Sequence, residues 1–266
     1  MLRWLRSLSR RRALPEIPDA AWQATLARYP FLAENTPSDA ARLRTLAAGF
    51  LRDKEFHGAH GFAITDEVAL AVAAQAVLPI LHLPGGLAWY DDFVGIVIHR
   101  GEVVAARRST DEAGVVHEYQ EVVAGEAMDR GPVMLSWQDV LAGSVTADTG
   151  YNVVIHEFAH KIDMRDGSAD GCPPLPADFA GSGSAKQARA LWRTTMQVAY
   201  EGFRDQTVIA ERFGGQAPWL DAYGAQSIDE FFAVACEAYF VNRPRFGAEF
   251  PTLLPLFNAF FRPGLA

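Results

Sequence analysis

Cysteine is almost missing from this 266-residue chain: only Cys172 and Cys236 occur, far apart and outside any Cys-x-x-Cys pair. A secreted disulfide framework is thereby excluded, and a reducing, cytoplasmic setting is expected. Long hydrophobic runs are missing too. No stretch of about 18 consecutive apolar residues is present, so no membrane span is expected. The longest apolar candidate, Val68 to Pro84, is Ala-rich and broken by Pro79; it reads as a buried helix followed by an extended piece. Basic charge is in deficit, with 24 Lys and Arg against 32 Asp and Glu and a net charge of −8. No global positive field therefore argues for direct binding to nucleic acid. Arg3, Arg6, Arg10, Arg11 and Arg12 crowd the N-terminus, but the continuous apolar core of a secretory signal does not follow them. Residues 1–14 read as a basic, flexible, solvated tail. Internal repeats and low-complexity segments are missing as well.

What is present fits a folded α+β chain, half apolar and about a fifth charged. Trp22 to Tyr29 and Ser38 to Phe56 are expected to be helical. In the second, Ser38 is the N-cap, and Leu43, Leu46, Ala47, Phe50 and Leu51 recur at helical spacing. A third helix starts near Asp66. The β-branched stretches Phe93 to Val104 and Val115 to Gly125 read as strands bounded by Gly-containing turns. Gly131 to Leu141 reads as a strand running into a turn or short helix. Further helices are expected at 151–163, 185–204 and 227–241, with a short one near the C-terminus. The expected fold is a small mixed sheet of three or more strands between helices, with a mostly helical C-terminal part. An N-terminal helical region at 15–85 and a second region at 86–266 would form one compact domain from 15 to 266.

The chemistry centres on "YNVVIHEFAH", which carries His-Glu-Phe-Ala-His at 156–160. Positions four apart lie on one helical face, so His156 and His160 would present two imidazoles to one point, as a tetrahedral metal site needs. Glu157, one residue on, is displaced from that point and placed instead to take a proton from water beside the metal. Phe158 and Ala159 would face the core.

Two histidines do not complete a site. Asp166, six residues after His160, lies where metzincins place a third ligand. That geometry needs a turning Gly three residues after the second histidine, and Asp163 stands there. "LDAYG", Leu220 to Gly224, resembles an aspzincin motif without its preceding Gly-Thr or its spacing. The third choice is a glutamate on the apolar segment "SIDEFFAVACEAYF", where Glu230 starts a Glu-x-x-Ala pattern. A carboxylate on such a helix needs a partner, and a metal is a suitable one. Glu230 is the selected ligand. Glu237, two turns on, is either a reserve ligand or a partner for a histidine, and Asp163 is a candidate hydrogen-bond partner of His160.

The motifs "YNVVIHEFAHKIDMRDG" and "DAYGAQSIDEFFAVACEAYF", preceded by "GLAWYDDFVGIVIHRG" and "GPVMLSWQDV", resemble the Mlc titration factor A family. These are zinc peptidases of the glutamate-zincin group with a zincin-like fold. The resemblance covers nearly all the chain after the tail. It implies one zinc ion held by His156, His160 and Glu230, with Glu157 as general base and Tyr223 stabilising the transition state. Read alone, Tyr223 is a packing residue. The function so implied is hydrolysis of short peptides in an aminopeptidase-like manner. The alternative is a regulatory protein that sequesters a Mlc-type transcriptional repressor. Val133 to Trp137 is the candidate edge along which an extended peptide would pair.

Overall fold

A computed structural model describes residues 14–33, 36–101, 103–110, 116–145 and 147–263; the arginine cluster of the tail lies outside them. Helix α1 (Asp19–Arg28) leads into α2 (Pro37–Asp53). Thr36, not Ser38, caps α2, its Oγ1 accepting the Asp39 N–H at 3.2 Å. Pro37 fixes this start, because its locked φ and missing N–H suit the first helical position and put the cap one residue earlier. The helix also stops sooner than its periodicity suggests. Lys54 turns extended, and its buried ammonium donates to the carbonyls of Tyr90 and Phe93. Phe56 then belongs to strand β1 (Glu55–Gly58).

Helix α3 (Asp66–Ala76) is capped by Thr65. The apolar segment after it is not extended. Leu78, Leu81 and Leu83 donate to the carbonyls three residues back, because a buried backbone without a strand partner must satisfy itself. The predicted strand at Phe93 to Val104 divides in two. Its first half is β2 (Gly95–His99); the second begins a separate hairpin of β3 (Val103–Thr110) with β4 (Val116–Val123).

The main sheet has the order β1-β2-β6-β5, with β5 (Gly125–Ala127) and β6 (Val133–Ser136). β1, β2 and β6 run parallel, with Phe56 opposite Ile96 and Ile96 opposite Val133. β5 joins β6 antiparallel, with Gly125 opposite Leu135. This corrects one expectation. β6 is flanked on both sides, Trp137 already starts helix α4 (Trp137–Ala142), and the end strand on that side of the sheet is β5.

Helix α5 (Val153–Asp163) crosses beneath the sheet. Its Phe158, fully buried, meets the rings of Tyr90, Phe50 and Phe93 at centroid separations of 5.0, 5.5 and 6.0 Å. Ala159 is buried beside it, as the sequence predicts. The remaining helices are α6 (Ala185–Phe213), α7 (Ile228–Val241), α8 (Arg243–Glu249) and α9 (Leu253–Phe261). α6 outruns its predicted end at 204 and closes on Gly214, whose φ of 72° supplies the left-handed terminus. Trp192 of α6 stacks on Phe257 of α9 at 5.8 Å, one of many aromatic contacts that enclose α7. The buried apolar side chains from Ile17 to Phe261 form one core cluster. Among the described residues, no helix is long and apolar enough to cross a membrane. The architecture is the α+β fold read from the sequence, with a small mixed sheet and a helical C-terminal part.

Candidate metal centre

The site is built where the starts of two helices meet. Asn152 caps α5, its Oδ1 accepting the Ile155 N–H at 2.9 Å while its Nδ2 donates to Gln75 Oε1 at 2.7 Å. One turn into the helix, His156 Nε2 and His160 Nε2 lie 3.2 Å apart. Helix α7 starts at Ser227, whose Oγ accepts the Glu230 N–H. The hydroxyl satisfies that N–H, so the Glu230 side chain turns away from its own helix end and toward α5. Its Oε2 lies 3.1 Å from His156 Nε2 and 3.2 Å from His160 Nε2.

These three atoms mark a triangle with edges of 3.1, 3.2 and 3.2 Å. Three corners of a tetrahedron about an ion bonded at about 2.0 Å are roughly 3.3 Å apart, so the donor set fits a zinc-sized cation. Among the described residues this is the one group of His, Cys, Asp and Glu able to hold a metal ion. Electrostatics points the same way. Burial works against the charged forms, yet hydrogen bonding to Glu230 and Glu237 raises the His156 pKa well above its ordinary value. Burial likewise opposes the Glu230 carboxylate, but His156 and His160 outweigh it and lower the pKa. The cluster is a place where negative charge calls for a proton or a cation.

Glu237 lies on the far side of His156 from Glu230. Its Oε1 lies 2.7 Å from His156 Nδ1, and its Oε2 accepts the Asn152 N–H. With Nδ1 donating to this carboxylate, the lone pair of His156 is left on Nε2, facing Glu230. Glu237→Gln supplies one acceptor where two N–H groups need one each. Metal affinity is expected to fall about 10–100-fold, measured by competition with a chromophoric chelator; an unchanged affinity would remove Glu237 from the site.

Glu157 is buried, 4% exposed. Desolvation pushes its pKa up to about 7 against the lowering influence of His156 and His160. Tyr223 sits on a short 3-10 turn (Ala222–Ala225) shaped by Asp221, which accepts the Tyr223 N–H at 2.9 Å. Its ring centroid is 6.0 Å from that of His156. Both residues line the same cleft of ≈ 520 Å³ as His156, His160 and Glu230. The other acids weighed from sequence lie differently. Asp166 accepts the Ser168 N–H on an exposed turn and does not line the cleft. Asp163 does not bond His160. It stands at the end of α5, its Oδ2 accepting the Gly171 N–H at 2.8 Å, so it secures the following loop.

Sequence reasoning passed over Asn152, Gln75, Gly125 and the Ser227 cap. Ser227-x-x-Glu230 ahead of an apolar run is a recognisable helix start. Asn152 ahead of "VVIHEF" is likewise a helix-cap signal; nothing local marks Gln75 or Gly125.

The family model of glucose-regulated metallo-peptidases, M90, matches residues 2–262. The proteins named Mlc titration factor A in Salmonella paratyphi B, Salmonella schwarzengrund and Salmonella typhi are each 34% identical over 246 residues, 92% of this chain and 86% of theirs. A match along almost the whole sequence, over a fold that converges two histidines and a glutamate on one point, settles the kinship: the chain belongs to the glucose-regulated metallo-peptidase M90 family.

Proposed function

We propose that the protein is a zinc-dependent peptidase of aminopeptidase type, acting on short peptides. The observation that carries this is a three-donor set with Glu157 beside it. A purely structural zinc site fills all four positions with protein ligands, whereas catalytic sites keep one open. His156, His160 and Glu230 would hold the ion. When bound, zinc supplies Lewis acidity that polarises a peptide carbonyl and makes water more acidic.

The chain's own residues do the rest. Glu157 takes a proton from the attacking water and returns it to the departing amine, a task suited to a carboxylate with a pKa near neutrality. The Tyr223 phenol donates to the oxyanion that develops on the substrate. The substrate backbone lies along β5, an end strand of the main sheet and so a place where an extended peptide can add.

Charge supports exopeptidase action. Beyond Glu157, Glu230 and Glu237, the cleft is lined by Glu126, Asp139, Asp221 and Asp229, and by no described Lys or Arg. That field favours a free, protonated amino terminus. Matched peptides with free and acetylated termini test the reading. Acetylation is expected to lower kcat/KM by about tenfold or more, equivalent to about 1.4 kcal/mol, and chelation to abolish turnover. Equal rates on both peptides would indicate an endopeptidase, and chelator-resistant turnover would overturn the zinc mechanism.

A second reading rests on the name of the relatives, which are called titration factors of Mlc. Sequestering a Mlc-type repressor would need no turnover. Co-elution of such a repressor with a zinc-loaded, inactive Glu157→Gln variant would favour that role. The free, buried thiols of Cys172 and Cys236 support a cytoplasmic setting for either.

A further inference from the structure

Two residues packed on the active face of α5 have no part in the chemistry above. Gly125 begins β5 directly over Glu157. A methyl group at position 125 would collide with Glu157 Oε1 and lie 2.7 Å from its Cγ and 2.8 Å from its Cδ. Non-bonded carbons normally stay about 3.5–4.0 Å apart, so either the carboxylate or the strand would have to move. Gly125 is not among the residues with positive φ; what the position requires is space. The neighbouring hydrogen bond, Ser136 N–H to the Ala124 carbonyl at 2.7 Å, ties the start of β5 to the end of β6. Giving way therefore falls to Glu157.

Lys161 follows Glu157 by four residues, one helical turn along the same face. It is 1% exposed, and its ammonium donates to the carbonyls of Met128 and Gly131, the second at 2.9 Å. Those carbonyls bracket the β5–β6 turn. Within it, Gly131 N–H donates to the Met128 carbonyl at 3.0 Å, and Arg130 holds a φ of 49°. The Phe93 ring covers the ammonium from the other side, its centroid 4.5 Å from Nζ. Burying an ammonium is costly unless its donors are satisfied. Here they are satisfied by the turn itself, through charge-assisted bonds.

We infer that Gly125 and Lys161 are positioning residues: the glycine lets the edge strand rest on the Glu157 carboxylate, and the lysine anchors the turn that holds the strand at that height. Together they fix the distance between a peptide on β5 and the base beneath it. The inference rests on the reading of Glu157 as general base and of β5 as the substrate edge.

The full-length, zinc-loaded protein tests it. Gly125→Ala is expected to keep its metal and lose about 100-fold in kcat, the scale of a displacement of about 1 Å at a reacting group. Glu157→Ala removes the Cγ and the carboxylate that the added methyl would meet. The Gly125→Ala, Glu157→Ala double variant should therefore be no slower than Glu157→Ala alone; additive losses would overturn the glycine's role. Lys161→Met is expected to lower kcat about tenfold with its metal retained, because the strand is no longer held at one height over the base. In metal-free protein, amide exchange at Gly131 and Ser136 should quicken in that variant and return toward wild type in Lys161→Arg, which keeps charged donors. Lys161→Gln gives the same comparison if Lys161→Met does not fold. Unchanged kcat and unchanged exchange would overturn the lysine's role. If Glu157→Gln keeps full turnover, the base assignment fails, while exchange in the metal-free protein still decides the anchor.

Discussion

Glu230→Gln is expected to empty the metal centre, while Asp166→Asn leaves it loaded. Glu230 is one of three candidate donors, and both histidine Nε2 atoms lie within 3.2 Å of its Oε2. A neutral amide presents a weaker donor and removes the carboxylate charge that faces both Nε2 atoms. Affinity should fall by at least about 100-fold, beyond the roughly 10–100-fold typical of losing an outer hydrogen-bond partner. Elemental analysis after dialysis against a weak chelator reads the result directly. Asp166 supplies only a turn contact to Ser168 on the surface, so its replacement should leave metal content and melting temperature where they were. Metal loss from Asp166→Asn with retention in Glu230→Gln would move the third ligand to the segment just after α5. Such a result would also require that segment to rearrange.

Glu157→Gln is the second large effect, and it separates chemistry from metal binding. The side chain is close to isosteric, so the buried space between α5 and β5 stays filled. Glu157 contributes no atom to the His156, His160 and Glu230 triangle, and metal content should be unchanged. The amide cannot take up a proton at neutral pH. Turnover should fall about 10²–10⁴-fold, or on the order of 3–5 kcal/mol in the barrier. A fall in kcat with little change in KM would mark loss of a group acting in the transition state. Full turnover in a metal-loaded variant would sink the general-base mechanism.

The elements easiest to read were those whose signal is local. Helices α3, α5 and α7 carry apolar runs and caps within a few residues of their observed ends. Where sequence and structure diverge, a distant partner had decided. α2 ends at Asp53 because the Lys54 ammonium reaches carbonyls some forty positions away, and Glu55 to Gly58 then finds β2. The stretch 93–104 breaks after His99 because β2 pairs with β1 and β6, while the following residues turn into a separate hairpin. Strand identity followed the same rule. "VMLS" reads as a strand, but whether it is an edge depends on β5, three residues long and too short to announce itself.

By itself the sequence determined the parts of this protein that depend on one helix. The four-residue spacing of His156 and His160 puts both on a single face of α5, with Glu157 beside them, and the physics of that spacing is intrinsic to the helix. It also narrowed the third donor to a few acids: Asp166 just downstream, the aspartate of LDAYG, and the glutamates of the apolar segment 227–240. Only the tertiary structure decided among them, because a metal site forms where side chains from separate elements converge. The crossing of α5 and α7 brings Glu230 onto the histidine nitrogens and Glu237 onto the far side of His156. The same packing turns Asp163 toward the Gly171 loop and lays β5 on Glu157 with room for no side chain at Gly125. Distances of that kind belong to no segment of the chain, since each is fixed by two elements joined through the core.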